Sequence, residues 1–145
     1  EIIKISYLTK ILGPRVFIYS NTLPIILEKP LFGWGAGTFP LIFQIRNPDF
    51  NREPTHPHNL IFEMANSYGL IFAFIMLLTI SLILIYSYKI VFLKKKLSNT
   101  DFGFNKAWWT SFFALFLSQM YDIQYFDIRI SISFWILLTG LICII

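Results

Sequence analysis

The sequence predicts an all-α fold, a polytopic membrane protein with about three transmembrane helices and a large extracytoplasmic loop carrying short helices. Three observations predict it. The 145 residues are 56% hydrophobic and 19% aromatic but only 14% charged, too apolar and charge-poor for an ordinary soluble domain. From Gly69 to Ile85 the only polar side chains are the hydroxyls of Thr79 and Ser81, a run that reads as a membrane span. Tyr86 to Lys106 holds five lysines against Asp101, whereas residues 1–68 hold six cations and five anions. The lysine-rich loop is therefore assigned to the cytoplasm and the region before Gly69 to the opposite side.

Taken in order, residues 1–58 read as an extracytoplasmic region with short interfacial helices and residues 59–145 as the transmembrane region, with spans at about 69–90, 106–122 and 130–145. Glu1 to Gly13 mixes apolar residues with Lys4 and Lys10 and reads as a connector. The chain starts without Met and ends in an apolar run, so it is expected to be a piece of a longer one. Pro14 to Leu27 is too short to span and is broken at Pro24, which suggests an interfacial or loop-packed helix. Arg15 and Tyr19 lie one turn apart on its face. Pro30 to Pro40 carries Gly33, Gly35 and Gly37. It lacks the Lys-Ser/Thr pair of a phosphate-binding loop and reads as a tight turn with aromatic plugs. Leu41 to Glu53 reads as further loop, with Arg46 and Arg52 near Asp49 and Glu53 as a screened charge cluster or as phosphate and sugar contacts.

Pro54 to Gly69 carries the chemistry. Pro57 suits a helix start, so His58 or Asn59 can occupy the cap or first turn. A helix N-terminus disfavours a protonated imidazole and favours a phosphate, which makes His58 a candidate general base; its plainer role is a helix cap. Asn59, Glu63 and Asn66, with Ser67, form a polar stripe at the membrane surface, facing water, on a helix that runs on into the first span. Trp108 and Trp109 form an aromatic belt at the second span, whose outer end holds Ser118, Gln119 and Asp122; Asp122 marks the boundary or shares a wet cavity with Glu63. Cys143 alone supports neither a disulfide nor a cysteine metal site. His56, His58 and Glu63 are too few and too dispersed to favour a metal-dependent hydrolase. The net charge of +4 is explained by topology, and no basic stripe with interleaved aromatics indicates nucleic acid.

His58-Asn59, nine residues, then Gly69 resembles the motif of the O-antigen ligase and polymerase-like membrane glycosyltransferases. Arg15 ahead of an aliphatic and aromatic helix, and Pro30-Leu31-Phe32-Gly33-Trp34-Gly35-Ala36-Gly37-Thr38-Phe39, resemble that family's arginine and Pro-x-x-Gly-x-Gly-x-x-x-Phe segment. The resemblance covers roughly Pro14 to Ile145. Two positions depart from it: Phe72 stands where the family has a second glycine, and Tyr19 where it often has Leu or Trp.

The resemblance implies a metal-independent inverting glycosyltransferase of the bacterial inner membrane, with no cofactor and with membrane lipid around it. Its donor is a glycan on undecaprenyl diphosphate and its acceptor a hydroxyl of lipid A core or of a growing glycan. His58 and Arg15 are the implied catalytic residues; Asn59, Glu63, Arg46, Arg52 and Asp122 are candidate substrate-binding residues. Family members carry further N-terminal transmembrane helices, so this chain is expected to be inactive alone. The alternative is a non-enzymatic transport or scaffold protein of a bicarbonate-uptake-related branch. Glu63, His58 and Asp122 cluster at one membrane edge rather than mid-membrane, which favours transfer chemistry.

Overall fold

The structure is a computed structural model that describes residues 13–48, 50, 54–93 and 99–145. Among the described residues there are helices and turns and no strand. The helices are α1 (Pro14–Glu28), α2 (Phe39–Arg46), α3 (Leu60–Tyr68), α4 (Leu70–Tyr88), α5 (Asn99–Tyr121) and α6 (Ile128–Ile144), with a π-helical turn over Lys89–Leu93 extending α4. Two compact units result, one ending at Phe74 and the other comprising Ile75–Ile145.

In the first unit α1 packs on α2 and α3, and α2 also touches α3. Ile18, Ile25, Phe39 and Phe43 form its core, with Phe17 and Phe50 stacked at a ring separation of 4.6 Å. Ile26 packs with Ala65 and Ala73 in a second cluster that joins α1 to α3 and the start of α4. Two expectations change here. Helix α1 continues through Pro24 to Glu28, and Phe39–Arg46, expected as loop, is a helix. Pro40 lies in the first turn of α2, where its missing N–H removes no intrahelical bond.

The expected continuous helix from His58 into the membrane is broken at Gly69 (φ 93°). The break exposes carbonyls at the end of α3 and N–H groups at the start of α4, and the Pro30–Gly35 strap meets both. The N–H groups of Trp34 and Gly35 donate to the carbonyls of Asn66 (2.7 Å) and Ser67 (3.1 Å), and Leu70 N–H donates to the Pro30 carbonyl (2.7 Å). The approach leaves no room for side chains. A Cβ on Gly33 (φ 69°) would lie 2.5 Å from the Asn66 carbonyl oxygen, and one on Gly69 would overlap the Leu31 carbonyl. Trp34 completes the strap by donating its indole N–H to the Ile25 carbonyl at 2.8 Å, under Lys29 Nζ at 4.0 Å from the ring centroid.

In the second unit α5 packs along α6 and against the π-helical turn. The Trp108 and Trp109 indoles donate inward to the carbonyls of Leu137 (2.9 Å) and Leu84 (3.1 Å), so both rings pack inside the unit. Gly140 lies directly against the Trp108 ring, a small residue permitting close helix approach. Gln119 Oε1 accepts from Gln124 N–H across the α5–α6 turn, and Asp127 caps α6 while its carboxylate is held low by Arg129.

Among the described residues one helical stretch, Leu70–Leu93, with mean hydropathy 2.6, is long and apolar enough to cross a membrane, against about three expected. Helix α6 is apolar but 17 residues long, and α5 runs Asn99–Tyr121, with the charged Lys106 at the start of the expected second span and Asp101 ahead of it. The membrane stretch buries Ala73, Ile80, Leu84, Ser87 and Val91 along one stripe and leaves Ile71, Phe74, Ile75, Leu78 and Leu82 exposed, an arrangement suited to lipid.

Substitution of Gly69 or Gly33 by alanine is expected to lower stability by about 1–3 kcal/mol, because the Cβ forces the strap off α3. Thermal unfolding in detergent checks this, with Gly37→Ala, whose Cβ meets nothing within 4 Å, as the reference for backbone strain alone.

Candidate functional site

The site is built on the entry to α3. Asn59 is the cap, its Oδ1 accepting from the N–H groups of Ile61 (3.0 Å) and Phe62 (3.2 Å). The cap oxygen is thus engaged by backbone, and any substrate contact from Asn59 must come from its amide nitrogen. His58 immediately precedes the cap in the left-handed region (φ 55°), a conformation that costs about 1–3 kcal/mol and persists only where surroundings enforce it. Pro57 beside it is fully buried. The Tyr19 hydroxyl donates to the His58 carbonyl at 3.0 Å, across 39 residues of chain. Tyr19 also meets Phe62 edge-on with ring centroids 5.3 Å apart. Arg15, half-buried, lies one turn before Tyr19 on α1.

The polar stripe lies inside the unit rather than facing water: Glu63, Asn66 and Ser67 are buried, at 2%, 0% and 3% exposure. Glu63 Oε1 accepts from the Ser67 hydroxyl at 3.0 Å, and Oε2 has no hydrogen-bond partner and lies 3.9 Å from His56 Nδ1. The two side-chain polar atoms of Asn66 are also buried without partners. Burial pushes the Glu63 carboxyl above its ordinary value of 4.5, and the Ser67 hydrogen bond pulls it partly back. His56 received little weight in the sequence; the i, i+7 separation of His56 and Glu63 across the helix entry was the available signal.

Arg46 Nη2 bonds Glu28 Oε2 at 2.5 Å at an exposed position, a pair worth about 0–1 kcal/mol. Arg52 lies outside the described residues. Asp122 belongs to the second unit, where its N–H donates to the Ser118 carbonyl at the end of α5. Among the described residues no group of three His, Cys, Asp or Glu side chains is arranged to hold a metal ion.

An apolar helix long enough to cross a membrane is thus entered through a strapped break, beside a histidine turn tied to an arginine-bearing helix. The family model described as O-antigen ligase matches residues 4–78, which include all of these features except the far end of the span. The chain belongs to the O-antigen ligase family. No curated protein and no solved structure matches it.

The raised Glu63 pKa gives a signed prediction. The unfolded chain releases this proton near 4.5 while the folded chain retains it to higher pH. The contribution to stability is therefore full below about 4.5 and is lost as pH rises through the folded pKa. Glu63→Gln, which keeps the Ser67 hydrogen bond without the charge, is expected to match wild type at the acid end. It should become the more stable of the two toward neutrality. Thermal midpoints between about pH 4 and pH 8 check this, and a pH-independent difference would contradict it.

Proposed function

We propose that the chain is the site-bearing part of a multi-pass inner-membrane glycosyltransferase, with the histidine turn on the extracytoplasmic side and α5 and α6 contributing further membrane passes. It moves a glycan from undecaprenyl diphosphate to a sugar hydroxyl, on lipid A core or on a growing glycan. The observation that carries this reading is the Tyr19–His58 hydrogen bond, which ties the Arg15 helix to the histidine turn in a chain of the O-antigen ligase family.

His58 takes the proton of the acceptor hydroxyl as its oxygen attacks the anomeric carbon in line. The new glycosidic C–O bond forms with inversion as the C–O bond to the diphosphate breaks, and the electron pair leaves with the lipid diphosphate. Arg15 meets that developing charge with a planar, permanently cationic fork, a task a guanidinium performs without a metal. Arg46, Arg52 and Asn59 are assigned supporting contacts to phosphate and sugar. An extracytoplasmic site without ATP suits a donor already activated on its lipid carrier.

The test is the surface-polysaccharide ladder of a strain lacking the full-length protein, complemented with wild type, His58→Ala or Arg15→Lys at equal membrane abundance. His58→Ala is expected to lower transfer about 100-fold or more, and Arg15→Lys, which loses the bidentate fork, by about tenfold or more. Loss of polymer on lipid A core marks a ligase; shortened chains mark a polymerase. An unchanged ladder with His58→Ala would reduce His58 to a helix-entry residue.

A further inference from the structure

We propose that Glu63 is a positioning residue that fixes the histidine turn through His56; the proposal rests on the transfer reading above. Glu63 is 2% exposed, and Ser67, one turn along the same helix, locks its rotamer through Oε1 at 3.0 Å. The other oxygen is left without a hydrogen bond, a costly state for a buried polar group. It faces His56 Nδ1 at 3.9 Å, longer than a hydrogen bond and within reach of electrostatic attraction. His56 is half-buried and joined to His58 by Pro57, whose fixed φ and complete burial make the three residues a stiff unit. A force on the His56 ring is therefore transmitted to the His58 backbone.

His58 needs such support. Its left-handed backbone is enforced by the Tyr19 hydroxyl on its carbonyl and the Asn59 cap after it. Both act at or beyond His58; the Glu63–His56 approach supplies the constraint before it. Ser67, Glu63 and His56 thus form a chain of hydroxyl, carboxyl and imidazole running from the helix interior to the loop. At 3.9 Å the carboxyl acts on Nδ1 through electrostatic attraction, which biases the ring orientation.

The experiment is a double-mutant cycle of His56→Ala and Glu63→Gln in the full-length protein, read in membranes as transfer from a lipid-diphosphate-linked glycan to lipid A core, with His58→Ala alongside. Each single change is expected to lower kcat about tenfold with KM within about twofold, since the reacting geometry and not uniform binding is disturbed. If Glu63 acts through His56, the double variant is no slower than the slower single one. Wild-type transfer by Glu63→Gln, or losses that multiply in the double variant, would overturn the proposal while leaving the His58 reading in place. If His58→Ala transfers as well as wild type, the transfer reading fails, and the same cycle is read from thermal midpoints of the purified proteins. Non-additive shifts then still support the Glu63–His56 link, and additive shifts overturn it. Should Glu63→Gln fail to accumulate, Ser67→Ala, which releases the carboxyl without removing it, takes its place in the cycle.

Discussion

The structure around the histidine turn depends on one exchange of backbone hydrogen bonds. At Gly69 the chain stops being one helix and becomes another, leaving carbonyls behind and N–H groups ahead. The Pro30–Gly35 strap supplies Trp34 and Gly35 N–H to the first and the Pro30 carbonyl to the second. At the start of a membrane-spanning stretch, where water is scarce, such groups are costly to leave unpaired. The strap permits the break, and the N-terminal turn of α3 meets α1 through the Tyr19–His58 hydrogen bond.

Function follows from where that turn is held. Three constraints converge on His58: Tyr19 from α1, the Asn59 cap, and buried Pro57. A side chain on a strained, over-determined backbone is positioned more closely than one on a free loop, which the proposed proton transfer from an acceptor hydroxyl to His58 requires. The buried Glu63 fits the same account. It is a poor choice for packing, with one oxygen unpartnered, and its burial favours the neutral acid, so its value lies in what it faces.

Much of this was legible in the residues. The charge-free run after Gly69 gave the span, and Pro57 with Asn59 gave the entry to α3, because both signals are local. The break at Gly69 was not legible, since the backbone that crowds a Cβ there, Leu31 and Phe32, is far away in sequence. Helix α2 was masked by Pro40 and the neighbouring glycines, which read as turn residues although Pro40 sits where a helix tolerates it. The polar stripe was found, but its direction was inverted: helical periodicity places Glu63 and Asn66 on one face, and only the packing of α1, α2 and the strap decides that the face is buried.

The most direct test of the central claim is amide hydrogen exchange of the full-length protein in nanodiscs at Trp34, Gly35 and Leu70. If the strap splices the break, these three amides exchange as slowly as those inside α3 and α4, although two of them lie in a glycine-rich loop. Exchange of Trp34 and Gly35 at the rate of an open loop, with α3 protected, would contradict it and remove the strap as the element that sets the histidine turn.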